Sequence, residues 1–221
     1  MKINHIFFLS LTFLLAWSTA CAQQKQAQNP LIYADVPDMS IVRVGDAYYM
    51  SSTTMHMAPG VPIMKSKDLV NWEIINYAYE TLADVDAMNL VNGQSTYGRG
   101  SWASCIRHHN GLFYVSTFAQ TTNKTYVFTT PDLENGEWKA TSFGPSYHDH
   151  TIFFDDDGHI YMIWGGGKLE IVELENDLSG VKEGTRRVLL ENASAPAGEN
   201  IIKQKIIING LMNRFISNLP F

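Results

Sequence analysis

The sequence predicts an all-β protein of the β-propeller type. Three segments share one pattern of an apolar strand, a two-residue turn and an aromatic-rich strand. They are IVRVGDAYYMSSTT from Ile41, CIRHHNGLFYVSTFA from Cys105 and IFFDDDGHIYMIWGG from Ile152. Beyond the N-terminal apolar run, no 3.6-residue apolar period is sustained, so long helices are not expected. A four-stranded repeat of about 40 to 50 residues is the signature of a propeller blade. A β-sandwich built from similar hairpins is the alternative.

Each element follows in order. The first hairpin turns at Gly45-Asp46, the weakest of the three turn signals, and PIMKSKDLVNWEII adds two more strands around a polar turn. An insertion, NYAYETLADVDAMNLVNGQSTYGRGS, comes next. The second hairpin turns at Asn110-Gly111, a type I′ signal because both central residues need positive φ. YVFTTPDLENGEWKAT continues that unit. Asp157-Gly158 is read as a second type I′ turn, followed by LEIVELENDLSGV. The shared core is a strand, then Asp-Leu, then often Trp. The glycines at 45, 111 and 158 give an uneven period, and the insertion accounts for the longer interval.

The N-terminus reads as a targeting segment. Lys2 is a short positive region, and IFFLSLTFLLAW is an apolar stretch too short to span a bilayer comfortably. Ser18-Thr19-Ala20 before Cys21 resembles a bacterial lipoprotein box, with Ser18 where Leu is usual. Ala20-Cys21-Ala22 also fits ordinary signal cleavage. The polar run AQQKQAQ favours the lipid-anchored reading. The expected organisation is a signal over 1–20, a tether over 21–28, propeller blades over 29–200 and a tail over 201–221. Export to the periplasm or outer surface of a bacterium follows, with membrane contact only through a lipid on Cys21.

A net charge of -6 and a longest basic run of Thr-Arg-Arg exclude a nucleic-acid partner, which needs a basic patch. A neutral ligand fits better, and a monomer is expected. The only other cysteine, Cys105, follows Trp102-Ala103-Ser104 in an apolar stretch and reads as a buried structural thiol.

In a propeller the innermost strand of every blade lines the axial channel, so matching positions of different blades converge. Asp38 precedes the first inner strand, Asp149 the third, and Trp102 stands before the second. Two carboxylates and an indole around one pocket suit glycoside hydrolysis. One carboxylate activates water, an acid protonates the leaving oxygen, and an aromatic face stacks on sugar. The plainer readings are turn aspartates and a core tryptophan. His56, in TTMHMAPG, lies on a loop bordering the pocket and is the other candidate for substrate contact.

These residues carry a resemblance to glycoside hydrolase family 43, five-bladed propeller enzymes acting on arabinose- and xylose-containing glycans. It covers about Asn29 to Asn200. PDMSIVRVGDAYYMSST resembles the family's opening blade, whose Pro-Asp-Pro-Ser aspartate is the general base. That role falls on Asp38, with Met39 in place of Pro. PGVPIMKSKDLVNWE resembles the family's Ser-Lys-Asp-Leu-Val-Asn-Trp turn, and GSWASCIRHHNGLFYV a segment normally reading Trp-Ala-Pro, where Ser104 departs. HDHTIFFDDDGHIYMIWG resembles the Asp-Pro-Ser-Leu-Phe-Phe-Asp-Asp-Asp-Gly blade, with His150 where Pro is common. Its first aspartate, Asp149 here, tunes the acid's pKa and orients substrate. The implied reaction is inverting hydrolysis of a terminal arabinofuranosyl or xylosyl unit.

The family's general acid is a glutamate in a Glu-Gly-Ser or Glu-Gly-Pro motif opening the fourth blade. No such motif follows Asn200, and neither Glu191 nor Glu199 carries it. About three of the family's five blades are countable. Residues 201–221 hold six isoleucines, three asparagines and no acidic residue, the bias of an AT-rich gene read out of frame. Impaired hydrolysis is therefore expected, and a noncatalytic glycan-binding propeller fragment is the alternative.

No cofactor is expected. The family sometimes holds a channel metal ion such as Ca2+, but no ligand set is recognisable. An EF-hand frame on Gly158 puts Phe153 and Trp164 at ligand positions. His148 and His150, read as sharing one side of a strand, lack a third ligand. GGGKL is no phosphate loop, since Met162 and Leu169 occupy its Gly and Ser/Thr positions.

Overall fold

A computed structural model of the protein describes residues 27–193. The expected signal over 1–20, residues 21–26 of the tether and the tail over 201–221 lie outside the described residues, as does Glu199. Residues 27–33 belong to one compact unit and contain no strand; residues 34–193 belong to another, described below.

Three four-stranded antiparallel sheets build this second unit. The first holds β1 (Ser40–Val44), β2 (Ala47–Ser51), β3 (Gly60–Ser66) and β4 (Glu73–Tyr79). The second holds β5 (Cys105–His109), β6 (Leu112–Ala119), β7 (Lys124–Thr130) and β8 (Lys139–Phe143). The third holds β9 (Thr151–Phe154), β10 (Ile160–Trp164), β11 (Leu169–Leu174) and β12 (Arg187–Leu190). Strand order follows chain order in each, so every sheet is a meander. β5 touches both β1 and β9, which sets the first strands of the three sheets side by side. These are consecutive blades of a β-propeller.

Alternation along β7 shows how the blades pack. Tyr126 and Phe128 join Val61, Ile63, Ile106 and Val115 in the core between the first two blades. Val127 points the other way, into a core with Ile152, Met162, Val172 and Leu174. A middle blade is covered on both faces, so its central strands carry apolar residues at successive positions rather than an apolar-polar alternation. Each fully buried Val, Ile or Phe contributes about 1.5–3 kcal/mol.

The three hairpins turn in three different ways. Asn110 and Gly111 both have positive φ, 49° and 77°, as type I′ requires. At the first hairpin only Gly45 is left-handed (φ 62°), the type II′ pattern. The expected type I′ turn at Asp157-Gly158 is not formed. Gly158 is left-handed (φ 85°) but Asp157 is not, and Gly158 N–H bonds to the carbonyl of Asp155 at 3.1 Å. With Asp155 N–H on His159 O at 2.9 Å, residues 156–158 form a three-residue loop with a glycine bulge. The extra aspartate lengthens the loop by one residue.

The repeated Asp-Leu marks the turn before the fourth strand, and its aspartate bonds the turn's own backbone. Asp68 Oδ1 accepts the N–H groups of Val70 and Asn71 at 2.9 and 2.8 Å, which holds its carboxyl far below the ordinary range. Asp132 and Asp177 accept from Glu134 and Ser179 in the same way. The insertion starts later than the sequence suggests: Asn76–Tyr79 complete β4. What remains is residues 80–104, with one short helix, α1 (Asp86–Asn89), capped by a left-handed Leu90 (φ 55°).

Candidate active site

Asp38 and Asp149 occupy equivalent places. Each lies two residues before an inner strand, β1 or β9, and each is left-handed, with φ of 49° and 48°. A non-glycine residue in this region is uncommon, and aspartate tolerates it best with asparagine and histidine. Both side chains are exposed. In the second blade the same offset falls on Ala103, so Trp102 stands one residue earlier than strict equivalence, and neither is left-handed.

The strands behind these residues are tied together through hydroxyl groups. Ser40, the first residue of β1, accepts the N–H of Ile106 at 3.1 Å. Thr151, the first residue of β9, meets Cys105 Sγ at 3.3 Å and accepts from the Arg107 guanidinium. Arg107 also donates to the carbonyls of Ile152 (3.2 Å) and Ile106 (2.8 Å). Thus β5 holds β1 on one side and β9 on the other at the ends where the aspartates sit. Cys105 is the buried thiol the sequence suggests.

Trp102 forms a wall beside Asp149. Its ring lies 6.1 Å from Phe118 and 6.1 Å from His148, whose Nδ1 is 3.2 Å from Asp149 Oδ2. Backbone bonds fix the segment: Trp102 N–H donates to Phe118 O at 2.9 Å, and Thr117 Oγ1 to Trp102 O at 2.7 Å. Among the described residues the indole N–H is buried without a partner, a group whose desolvation costs about 1–3 kcal/mol.

Asp38 reaches the same region through its neighbours. The Pro37 carbonyl accepts the N–H of Thr53 at 3.2 Å and the hydroxyl of Ser52 at 2.7 Å. Thr53 Oγ1 in turn donates to the carbonyl of Ser101, next to Trp102, at 3.3 Å. The structure therefore gathers Asp38, Trp102 and Asp149 at one end of three adjoining strands. His56 stands apart from them, on a small cleft of about 80 Å3 lined by Met55, Met57, Leu82, Met88 and others but by none of those three.

His148 and His150 do not share a strand side; the segment before Thr151 is a turn. His148 is exposed, whereas His150 is buried. Because a carbonyl can only accept, His150 Nδ1–H donates to Tyr147 O (2.9 Å), and Nε2 accepts from the Ser116 hydroxyl (2.8 Å). Burial holds its pKa down at about 4, so the ring is neutral. With both nitrogens engaged, it does not suit a channel metal. Among the described residues no three His, Cys, Asp or Glu side chains are grouped for one. The sequence's single Glu-Gly pair, Glu183-Gly184, lies in the turn between β11 and β12, away from the start of an inner strand.

Three contributors escape a reading of the sequence. They are His148, which links the indole to a carboxylate, Arg107, which ties the strands, and Ser101, which gathers Thr53, Thr54 and Tyr79. An arginine directly after Cys105 and Ile106, the two buried residues that open β5, was the one available signal.

Residues 27–204 match the family model of glycosyl hydrolases family 43. A solved structure of a bifunctional GH43-CE protein from Bacteroides eggerthii is 70% identical, with a TM-score of 0.76, over 80% of this chain and 23% of that one. A β-xylosidase of Formosa agariphila is 35% identical over 59% of this chain and 22% of its own length. A non-reducing end α-L-arabinofuranosidase of Bacteroides ovatus is 33% identical over 63% of this chain and 26% of its own. The chain thus spans about a quarter of the length of these relatives.

Proposed function

The chain belongs to glycosyl hydrolases family 43, and on that premise we propose that it carries part of the active site of an exported glycosidase for xylose- or arabinose-containing glycans. The equivalent left-handed placement of Asp38 and Asp149 carries this reading. Asp38 is the general base. It deprotonates a water that attacks the anomeric carbon from the face opposite the leaving oxygen, with inversion. Such a base and its partner acid stand about 6.5–9.5 Å apart to admit the water. Asp149 raises the acid's pKa by like-charge repulsion and orients the sugar. Trp102 supplies an apolar wall against the ring. Lys2, the following apolar run and Cys21 support export, with a lipid anchor on Cys21.

No residue of this sequence is assigned as the proton donor. The sequence contains no Glu-Gly-Ser or Glu-Gly-Pro, so these residues alone bind glycan but protonate a leaving group poorly. The reading is tested with the purified chain on xylose and arabinose oligosaccharides and on the aryl xyloside and arabinofuranoside. Binding with little turnover is expected. Turnover abolished by Asp38→Asn overturns the impairment, and absence of binding overturns the glycan reading itself.

A further inference from the structure

Two parts of the chain meet beside Asp38 and Trp102: the loop 52–59 after β2, and the end of the insertion. Thr54 pairs with Ser101 as an isolated bridge, and Gly100 N–H donates to Met55 O at 3.1 Å. A side chain at residue 100 would stand 3.1 Å from that carbonyl, so glycine permits the approach. The contact delivers Tyr97 onto His56. Their rings stack with centroids 4.4 Å apart and planes 28° from parallel.

The pair has the chemistry of a sugar platform. Tyr97 is 77% exposed, so its face away from His56 is open to solvent. A tyrosine ring joins an apolar face to a polar edge, the combination that suits a sugar. The histidine is also set in one tautomer. Gly98 N–H donates to His56 Nδ1 at 3.0 Å, which requires a lone pair there and leaves the proton on Nε2. Nε2–H has no partner among the described residues. An open aromatic face beside a fixed N–H donor matches a sugar ring, which offers an apolar C–H face and hydroxyl acceptors. The chain's net charge of -6 disfavours an acidic sugar.

We infer that Tyr97, stacked on His56, determines specificity by holding the neutral sugar unit next to the one presented to Asp38. This rests on the glycan reading above. The loop geometry sets the position: Thr53 bonds Pro37 beside Asp38, whereas His56 lies three residues further along the same loop, outside the carboxylate cluster. Tyr97 is a substrate-positioning residue, and it acts on oligosaccharide length rather than on bond cleavage.

The test is calorimetric binding of a monosaccharide and a pentasaccharide, of xylose and of arabinose, to the purified full chain. The wild type is expected to bind the longer ligand more tightly. Tyr97→Ala weakens the pentasaccharide about threefold to tenfold, the range for one aromatic stack, and leaves the monosaccharide unchanged. Tyr97→Phe keeps the ring and the affinity; His56→Ala, which removes both the support and the donor, loses at least as much as Tyr97→Ala. Equal affinity of Tyr97→Ala and wild type for the pentasaccharide overturns the inference while leaving the glycan reading intact. So does an equal loss on both lengths. Failure of the wild type to bind any of the four ligands overturns both. Unchanged thermal unfolding of Tyr97→Ala, expected for so exposed a residue, shows that the loss is not one of folding.

Discussion

Asp38 and Asp149 share one backbone geometry, left-handed at φ 49° and 48°, two residues ahead of the inner strands of different blades. The conformation itself selects the residue type. Asparagine tolerates it nearly as well as aspartate, whereas a β-branched residue does not. Asp38→Asn is expected to stay within about 0.5 kcal/mol of the wild type in urea unfolding, and Asp38→Val to lose about 1–2 kcal/mol. Equal midpoints for the two variants would show that the left-handed turn places no demand on this position.

His150 makes the fold sensitive to acid. Its folded pKa is about 4, below the ordinary histidine value of 6.5, because burial disfavours the charged ring. Below pH 6.5 the unfolded chain takes up a proton that the native chain refuses until about pH 4. Stability linked to this group is therefore complete above pH 6.5 and falls as pH drops to 4, by about 3 kcal/mol. His150→Gln is expected to be less stable than wild type at pH 7.5 but to lose about 2.5 kcal/mol less on going to pH 4.5. Parallel pH curves for the two proteins would refute this origin of acid sensitivity.

Gly60 has no room for a methyl group. A Cβ there would stand 2.0 Å from the hydroxyl of Tyr79, which donates to Ser101 Oγ at 2.7 Å. Gly60→Ala must push the ring away and break that bond, at about 1–3 kcal/mol. In a Tyr79→Ala background the same change is expected to cost little, since the clash is gone. An additive double-mutant cycle in urea would mean that Tyr79 is not what excludes the side chain.

Much of the blade plan was legible because its signals are local. Asn110-Gly111 specifies its own turn, and the Asp-Leu turns close on their own backbone, so both survive any tertiary surroundings. The third hairpin misled because Asp155, Asp156 and Asp157 are chemically alike, and only the pairing with His159 decides which of them belong to the loop. The site was legible as residue types and not as geometry. Nothing near Asp38 in sequence announces a bond from Pro37 to Thr53, and the meeting of Trp102 with His148 joins residues 46 positions apart. Tyr97 was hidden in an insertion without periodicity. Its importance depends on His56, which only the folded chain brings beneath it.

The hydroxyls of Ser40 and Thr151 both bond to β5, one from each side. The spacing between the two carboxylates is thereby governed by a third strand that carries neither. A bulge or shift in residues 105–107 would move Asp38 and Asp149 and leave both residues unchanged in sequence. Damage of that kind would show up as a displaced carboxylate pair in a protein whose sequence at both positions is intact.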